Sequence, residues 1–182
     1  APNGSQVLID GGPDGKVIQE LAKVMPFYDR EIDMMILTHP HADHVAGLID
    51  VLERYEVKNI LEAREDYNSP VVPVWRETVR NEGTNEVAAI SGKVIDLGNG
   101  VTLTVIHPFV SVTGILLKNP HDAIVVSILK YGDFEVMLTG DMEAKVERRL
   151  ILNGYDLKAD ILKIGHHGSK TSTTPEFLSA VS

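Results

Sequence analysis

Apolar residues along this chain fall into short continuous runs and into helical stripes, and the two kinds alternate. Gln6 to Ile9, ahead of Asp10-Gly11-Gly12, predicts a short buried strand halted by a turn. Val17, Ile18, Leu21, Val24 and Met25 then recur on one helical face. "IDMMILTH" predicts a second strand. Behind it Val45, Leu48, Ile49, Leu52 and Tyr55 stand at helical spacing, so "THPHADH" between them falls on a strand-to-helix turn. "NILEA" reads as a short strand and 69–83 as a helix, with Ser69 as its cap and Pro70 at its first position. Two hairpins follow, one turning at Gly98-Asn99-Gly100 and one near Tyr131-Gly132-Asp133. A helix over 143–152 stops at Asn153-Gly154, "ADILKIGHH" is a further strand, and Thr174-Pro175-Glu176 starts a last helix.

Strands alternate with helices but hairpins interrupt them, which fits an α/β sandwich of layered mixed sheets better than a doubly wound parallel sheet. The chain contains no repeat, low-complexity stretch or linker, so 1–182 reads as one domain, truncated at both ends. Its 43% hydrophobic and 24% charged residues are ordinary for a globular protein. No window approaches the ~18 apolar residues of a membrane span. The first residues lack the basic and apolar regions of a signal peptide, and the compartment stays undecided. With no cysteine, disulfides and thiolate metal sites are excluded. A metal here has to be held by histidine and carboxylate, which suits zinc, manganese or iron. The formal charge of −9 argues against a broad basic surface for duplex nucleic acid, although a pair of divalent cations offsets negative charge locally.

Five of the seven histidines sit in two clusters, "THPHADH" and "IGHHGS". His39 and His41 are two apart at the end of a strand, so both point the same way. Asp43 and His44 follow at the start of the helix. Together they supply two pairs of metal ligands, the arrangement by which two ions roughly 3.5–4 Å apart acidify water for hydrolysis. The competing reading is a histidine-rich surface turn with Asp43 as a helix cap, and it leaves four ligand-type residues in six positions unexplained. The second hairpin brings His121 and Asp141 to the same sheet rim. Asp141 of "LTGD", His39 of "LTH" and His166 of "LKIGHH" all stand at strand ends, although Asp141 also suits a helix cap and 166–169 a polar loop.

"THPHADHVAGL", "LTGD" and "ADILKIGHHGS" together resemble the metallo-β-lactamase superfamily, and more narrowly the hydrolase-like domains of DNA-uptake competence proteins of the ComEC type and their stand-alone relatives. The likeness runs from "LIDGG" to "FLSAV". It implies an αββα sandwich with a dinuclear site between the sheets, holding two divalent ions, zinc first. It places His39 and His41 on one metal, Asp43 and His44 on the other, and Asp141 between them. Asp10 becomes a buried residue orienting the histidine loop, and His166, with His167 as the alternative, a ligand or proton donor. For the third ligand of the first metal, "NPHDAI" offers His121, with Asp122 as the alternative; His107 reads as a buried or rim histidine. The opening strand with an Asp-Val-Gly-Gln-Gly-like segment and a late histidine, both usual in such domains, have no counterpart here. The implied activity is metal-dependent hydrolysis, of phosphodiester bonds in nucleic acid first. Lys163, Ser169, Lys170 and Thr171 are candidates to contact phosphate. The same centre also suits small-molecule substrates such as a β-lactam, lactone or thioester, and a binding module without turnover is the third reading.

Overall fold

The computed structural model describes residues 1–182. Four strands, β1 (Val7–Ile9), β2 (Met34–Ile36), β3 (Asn59–Glu62) and β4 (Asn85–Ala88), pair in that order, all parallel. A second sheet contains β5 (Val94–Gly98), β6 (Val101–His107), β7 (Val126–Tyr131), β8 (Phe134–Leu138) and β9 (Ile161–Leu162). Its order is β9-β8-β7-β6-β5, antiparallel except where β9 joins β8. Helices α1 (Lys16–Val24), α2 (Ala42–Leu52) and α3 (Val71–Glu82) follow strands of the first sheet. The second sheet is followed by α4 (Ala144–Leu152) and α5 (Pro175–Val181). No helix is long and apolar enough to cross a membrane.

Strand alternation explains how these elements stack. Successive side chains of a strand point to opposite faces, so a continuous apolar run is buried on both. Met35 and Leu37 join Val45, Leu48, Val51 and Trp75 in a core between the first sheet and its helices. Their neighbours Met34 and Ile36 face the other way, against Leu103, Val105 and Val125 of the second sheet. Ile124, Val126 and Met137 pack on the far side with Val146, Leu150, Phe177 and Val181 of α4 and α5. Three cores separate four layers: this is the αββα sandwich.

Helix α2 begins at Ala42, with Asp43 and His44 in its first turn as the sequence predicts. Other local details differ from expectation where tertiary contacts decide. Helix α3 begins at Val71, and Ser69 makes no side-chain cap. Pro73 is tolerated because the first helical N–H groups have no intrahelical partner to lose. Val24 lies on the predicted apolar face of α1 but is 78% exposed, while Val17, Ile18, Leu21 and Met25 of that face pack against the core. The second hairpin pairs Tyr131 with Phe134, so its turn is Gly132-Asp133. Of "ADILKIGHH" only Ile161–Leu162 is strand.

Candidate metal centre

The Asp10-Gly11-Gly12 turn and the start of α2 are built against each other. Gly11 N donates to His44 O at 2.8 Å and Gly47 N to Gly12 O at 2.9 Å. A β-carbon on Gly47 would overlap the carbonyl oxygen of Gly11, so glycine is required for this approach. The contact delivers Asp10, at φ 57°, under the histidine loop. Its carboxylate accepts from Thr38 N at 2.9 Å, Thr38 Oγ1 at 2.8 Å and His44 Nδ1 at 2.7 Å.

Above that support the ligand-type side chains converge in four overlapping groups. The donor atoms of His39, His41 and His121 lie within 4.8 Å of one another, as do those of Asp43, His44 and His167. Asp141 belongs to two further groups, one with His39 and His44 and one with His121 and His166. His39 Nε2 and His41 Nδ1 are 3.0 Å apart. His44 Nε2 and His167 Nε2 each lie 3.2 Å from Asp141 Oδ2. In the first group His39 and His121 are buried, 1% and 6% exposed, and His41 is half-buried. The other opens outward through Asp43 and His167, whose side chains are 54% and 62% exposed. Beside this open half a cavity of about 290 Å³ runs between the sheets, walled by Ile9, Ile36, Val125 and Leu138, with Lys163 among its polar lining residues.

Three buried polar atoms here have no hydrogen-bond partner: His44 Nε2, His121 Nε2 and Asp141 Oδ1. Leaving each unsatisfied costs about 1–3 kcal/mol, which a sequence keeps where something else binds them. Imidazole and carboxylate together match a divalent transition metal. The tautomers agree. The single proton of the Thr38 hydroxyl goes to Asp10, so its oxygen accepts from His39 Nδ1 at 3.0 Å, leaving the lone pair of His39 on Nε2. Burial first, and then the neighbouring histidines, hold the His39 pKa far below the ordinary imidazole value. His41 and His121 are pushed down as well, chiefly by burial. These three rings are thereby kept neutral, the state that ligates metal. Burial alone would lower His44 too, but the Asp10 hydrogen bond and the charges of Asp10, Asp141 and Asp43 raise it.

The family model described as metallo-beta-lactamase superfamily matches residues 1–182. The chain belongs to the metallo-β-lactamase superfamily. It is 30% identical over 184 residues to Recombination protein 2 of Haemophilus influenzae, covering 98% of this chain and 21% of that protein. With ComE operon protein 3 of Bacillus subtilis it shares 29% identity over 149 residues, 82% of this chain and 19% of that protein. The chain thus spans about a fifth of the length of these relatives. Zinc-bound PqqB from Methylobacterium extorquens has the same fold, with a TM-score of 0.52 at 16% identity, over 89% of this chain and 53% of that one.

Not every candidate residue of this metallo-β-lactamase domain reaches the centre. His107 is 1% exposed, donates from Nδ1 to Ile124 O at 2.6 Å and packs edge-on against Phe109, outside every ligand group. Asp122 pairs with Lys145 at 2.6 Å, also outside. Lys163 Nζ donates to Gly140 O and Ile164 O, and the Ser169 and Thr171 hydroxyls bond each other. Lys170 is exposed. His166 and His167 have φ of 43° and 51°, a left-handed backbone that residues other than glycine seldom adopt. Three neighbours went unread in the sequence: Thr38, Tyr67, whose ring centroid is 5.4 Å from that of His41, and Glu143. A hydroxyl directly before the first histidine was the one available signal among them.

Proposed function

We propose that this chain is a dinuclear metal-dependent hydrolase domain acting on phosphodiester bonds of nucleic acid. The observation that carries the reading is the set of three orphaned buried atoms lying between two histidine and carboxylate groups. His39, His41 and His121 are assigned to one ion, Asp43, His44 and His167 to the other, and Asp141 to both. His167 thereby takes the ligand place, and His166, beside His121 and Asp141 at the rim, is assigned as proton donor to the leaving oxygen. Divalent ions so held, zinc first, supply Lewis acidity and bring the pKa of water near 7. The other tasks belong to the chain. Asp10 and Thr38 set the tautomers of His44 and His39, and the exposed Asp43 and His167 mark the side of substrate entry. The phosphodiester assignment rests on the competence-type motif and on a relative named Recombination protein 2.

The test combines elemental analysis with a parallel screen of the metal-loaded protein. The substrates are bis-p-nitrophenyl phosphate, single-stranded DNA, RNA and a chromogenic cephalosporin. Two bound divalent ions and turnover of the phosphodiesters, lost in Asp43→Asn, are the expected result. A protein that takes up no transition metal refutes the centre. Turnover of the cephalosporin alone moves the activity to carbonyl substrates.

A further inference from the structure

Glu143 stands at the cap of α4, two residues beyond Asp141. Its Oε1 lies 3.5 Å from His121 Nδ1 and 3.4 Å from His166 Nδ1, and accepts a hydrogen bond from Thr171 Oγ1 at 3.3 Å. One carboxylate oxygen therefore lies near the Nδ1 atoms of two histidines brought from different stretches of the chain, and Thr171 Oγ1, which it holds, also meets His166 Nδ1 at 3.3 Å. The inward nitrogen of His121 is one of the three orphaned atoms. A carboxylate on Nδ1 keeps the proton there and leaves the Nε2 lone pair directed inward. Glu143 makes no side-chain cap bond to α4, so its carboxylate is free for this contact. The same helix carries the loop as a whole. Ala144 N donates to Thr171 O at 2.9 Å, and one turn on the buried Glu147 accepts from Thr174 N at 2.9 Å and Thr174 Oγ1 at 2.7 Å.

We infer that Glu143 is a positioning residue of the metal centre, fixing the ring of His121 and tying the loop of His166 and His167 to it. Asp10 and Thr38 hold His44 and His39 by hydrogen bonds of 2.7 and 3.0 Å; Glu143 faces His121 Nδ1 at a longer 3.5 Å and supplies the outer carboxylate that His121 otherwise lacks. It also makes the two halves of the centre depend on one carboxylate. The inference rests on the metal-centre reading above and extends it to a residue that touches no ion.

The experiment measures metal affinity by chelator competition and the visible spectrum of the cobalt(II)-loaded protein. Wild type, Glu143→Ala and Glu143→Gln are compared, with thermal unfolding of the metal-free forms alongside. Glu143→Ala is expected to weaken affinity by about 10–100-fold and to change the cobalt spectrum. Glu143→Gln keeps an acceptor on Nδ1 and recovers at least about threefold of that loss. Metal-free unfolding temperatures stay together, because the contact is peripheral to the cores. Affinity and spectrum unchanged in Glu143→Ala overturn the inference while leaving the metal centre standing. It is equally overturned if the metal-free alanine variant is strongly destabilised and glutamine does no better. Failure of the wild type itself to take up metal is a failure of the proposed function.

Discussion

Replacing Asp10 by asparagine tests whether the centre depends on a fixed tautomer. Asparagine has the same shape and tolerates the left-handed φ of 57°, so the backbone stays in place. Its oxygen still accepts from Thr38 N, but its NH₂ replaces the oxygen that accepted from the Thr38 hydroxyl and from His44. The change falls on His44 directly and on His39 through the freed Thr38 proton. The 2.7 Å bond from Nδ1 now faces either an amide NH₂ or nothing. The ring restores the bond by moving its proton to Nε2, the atom that must be bare to ligate. Metal affinity is expected to fall about 10–100-fold, as for other outer partners of ligating histidines. One charge-assisted hydrogen bond is lost, about 1.5–3 kcal/mol. At about 2–4 °C per kcal/mol for a chain of this size, the metal-free melting temperature falls by roughly 3–12 °C. Calorimetric titration of metal and thermal unfolding of the apo-protein separate the two effects. Wild-type affinity in a folded Asp10→Asn protein would refute the tautomer argument, whatever happened to the melting temperature.

Two further outcomes follow from buried groups away from the ligands. Burial lowers the His107 pKa from 6.5 to about 4, so between those values the unfolded chain binds the extra proton. The stabilising contribution of neutral His107 is complete above pH 6.5 and is lost as pH falls toward 4, about 3 kcal/mol in all. Urea unfolding of metal-free protein at pH 7 and pH 4.5 should show this loss on top of that from His39, His41 and His121, and His107→Gln should reduce the pH dependence by about 3 kcal/mol while lowering stability at pH 7. Gly47→Ala forces a β-carbon into the Gly11 carbonyl and should cost about 3 kcal/mol. Metal affinity falls with it, since the first turn of α2 carries Asp43 and His44; an alanine variant as stable as wild type would show that the close approach does not exist.

The residues differ in how far their positions could be read from the chain. "MMIL" reads as an apolar strand, but the run says nothing about which residues meet helices and which meet the other sheet. That division appears only once Met35 is seen against α2 and Ile36 against the second sheet. His39 and His41 were legible because a spacing of two at a strand end is local geometry. His121 depended on the register of a hairpin, a longer-range inference that local spacing cannot supply. Glu143 carried no signal at all, since an acidic residue at a helix start is already explained by the helix dipole. The choice between His166 and His167 was illegible for another reason. Both residues adopt positive φ, so the strand alternation that ends at Leu162 does not extend to them.

The strained and orphaned groups of the centre bear on how its parts hold together. Asp10, His166 and His167 sit at positive φ, each at a cost of order 1–3 kcal/mol, and the three unpartnered atoms add a similar burden. Such costs persist only where surrounding structure over-determines the conformation. Here the support is visible: the Gly11 and Gly47 contact under Asp10, and Glu143 with Glu147 under the loop of the paired histidines. The supports come from both helical layers, so neither sheet with its helices carries the site alone. An ion that binds the native arrangement and not the unfolded chain satisfies the orphaned atoms together, and its binding free energy adds to folding stability. The more deeply buried half, with His39 and His121, then exchanges more slowly than the half bounded by the exposed Asp43 and His167. Chelation of the metal-loaded protein should therefore proceed in two phases, and the unfolding temperature should drop mainly in the slower one.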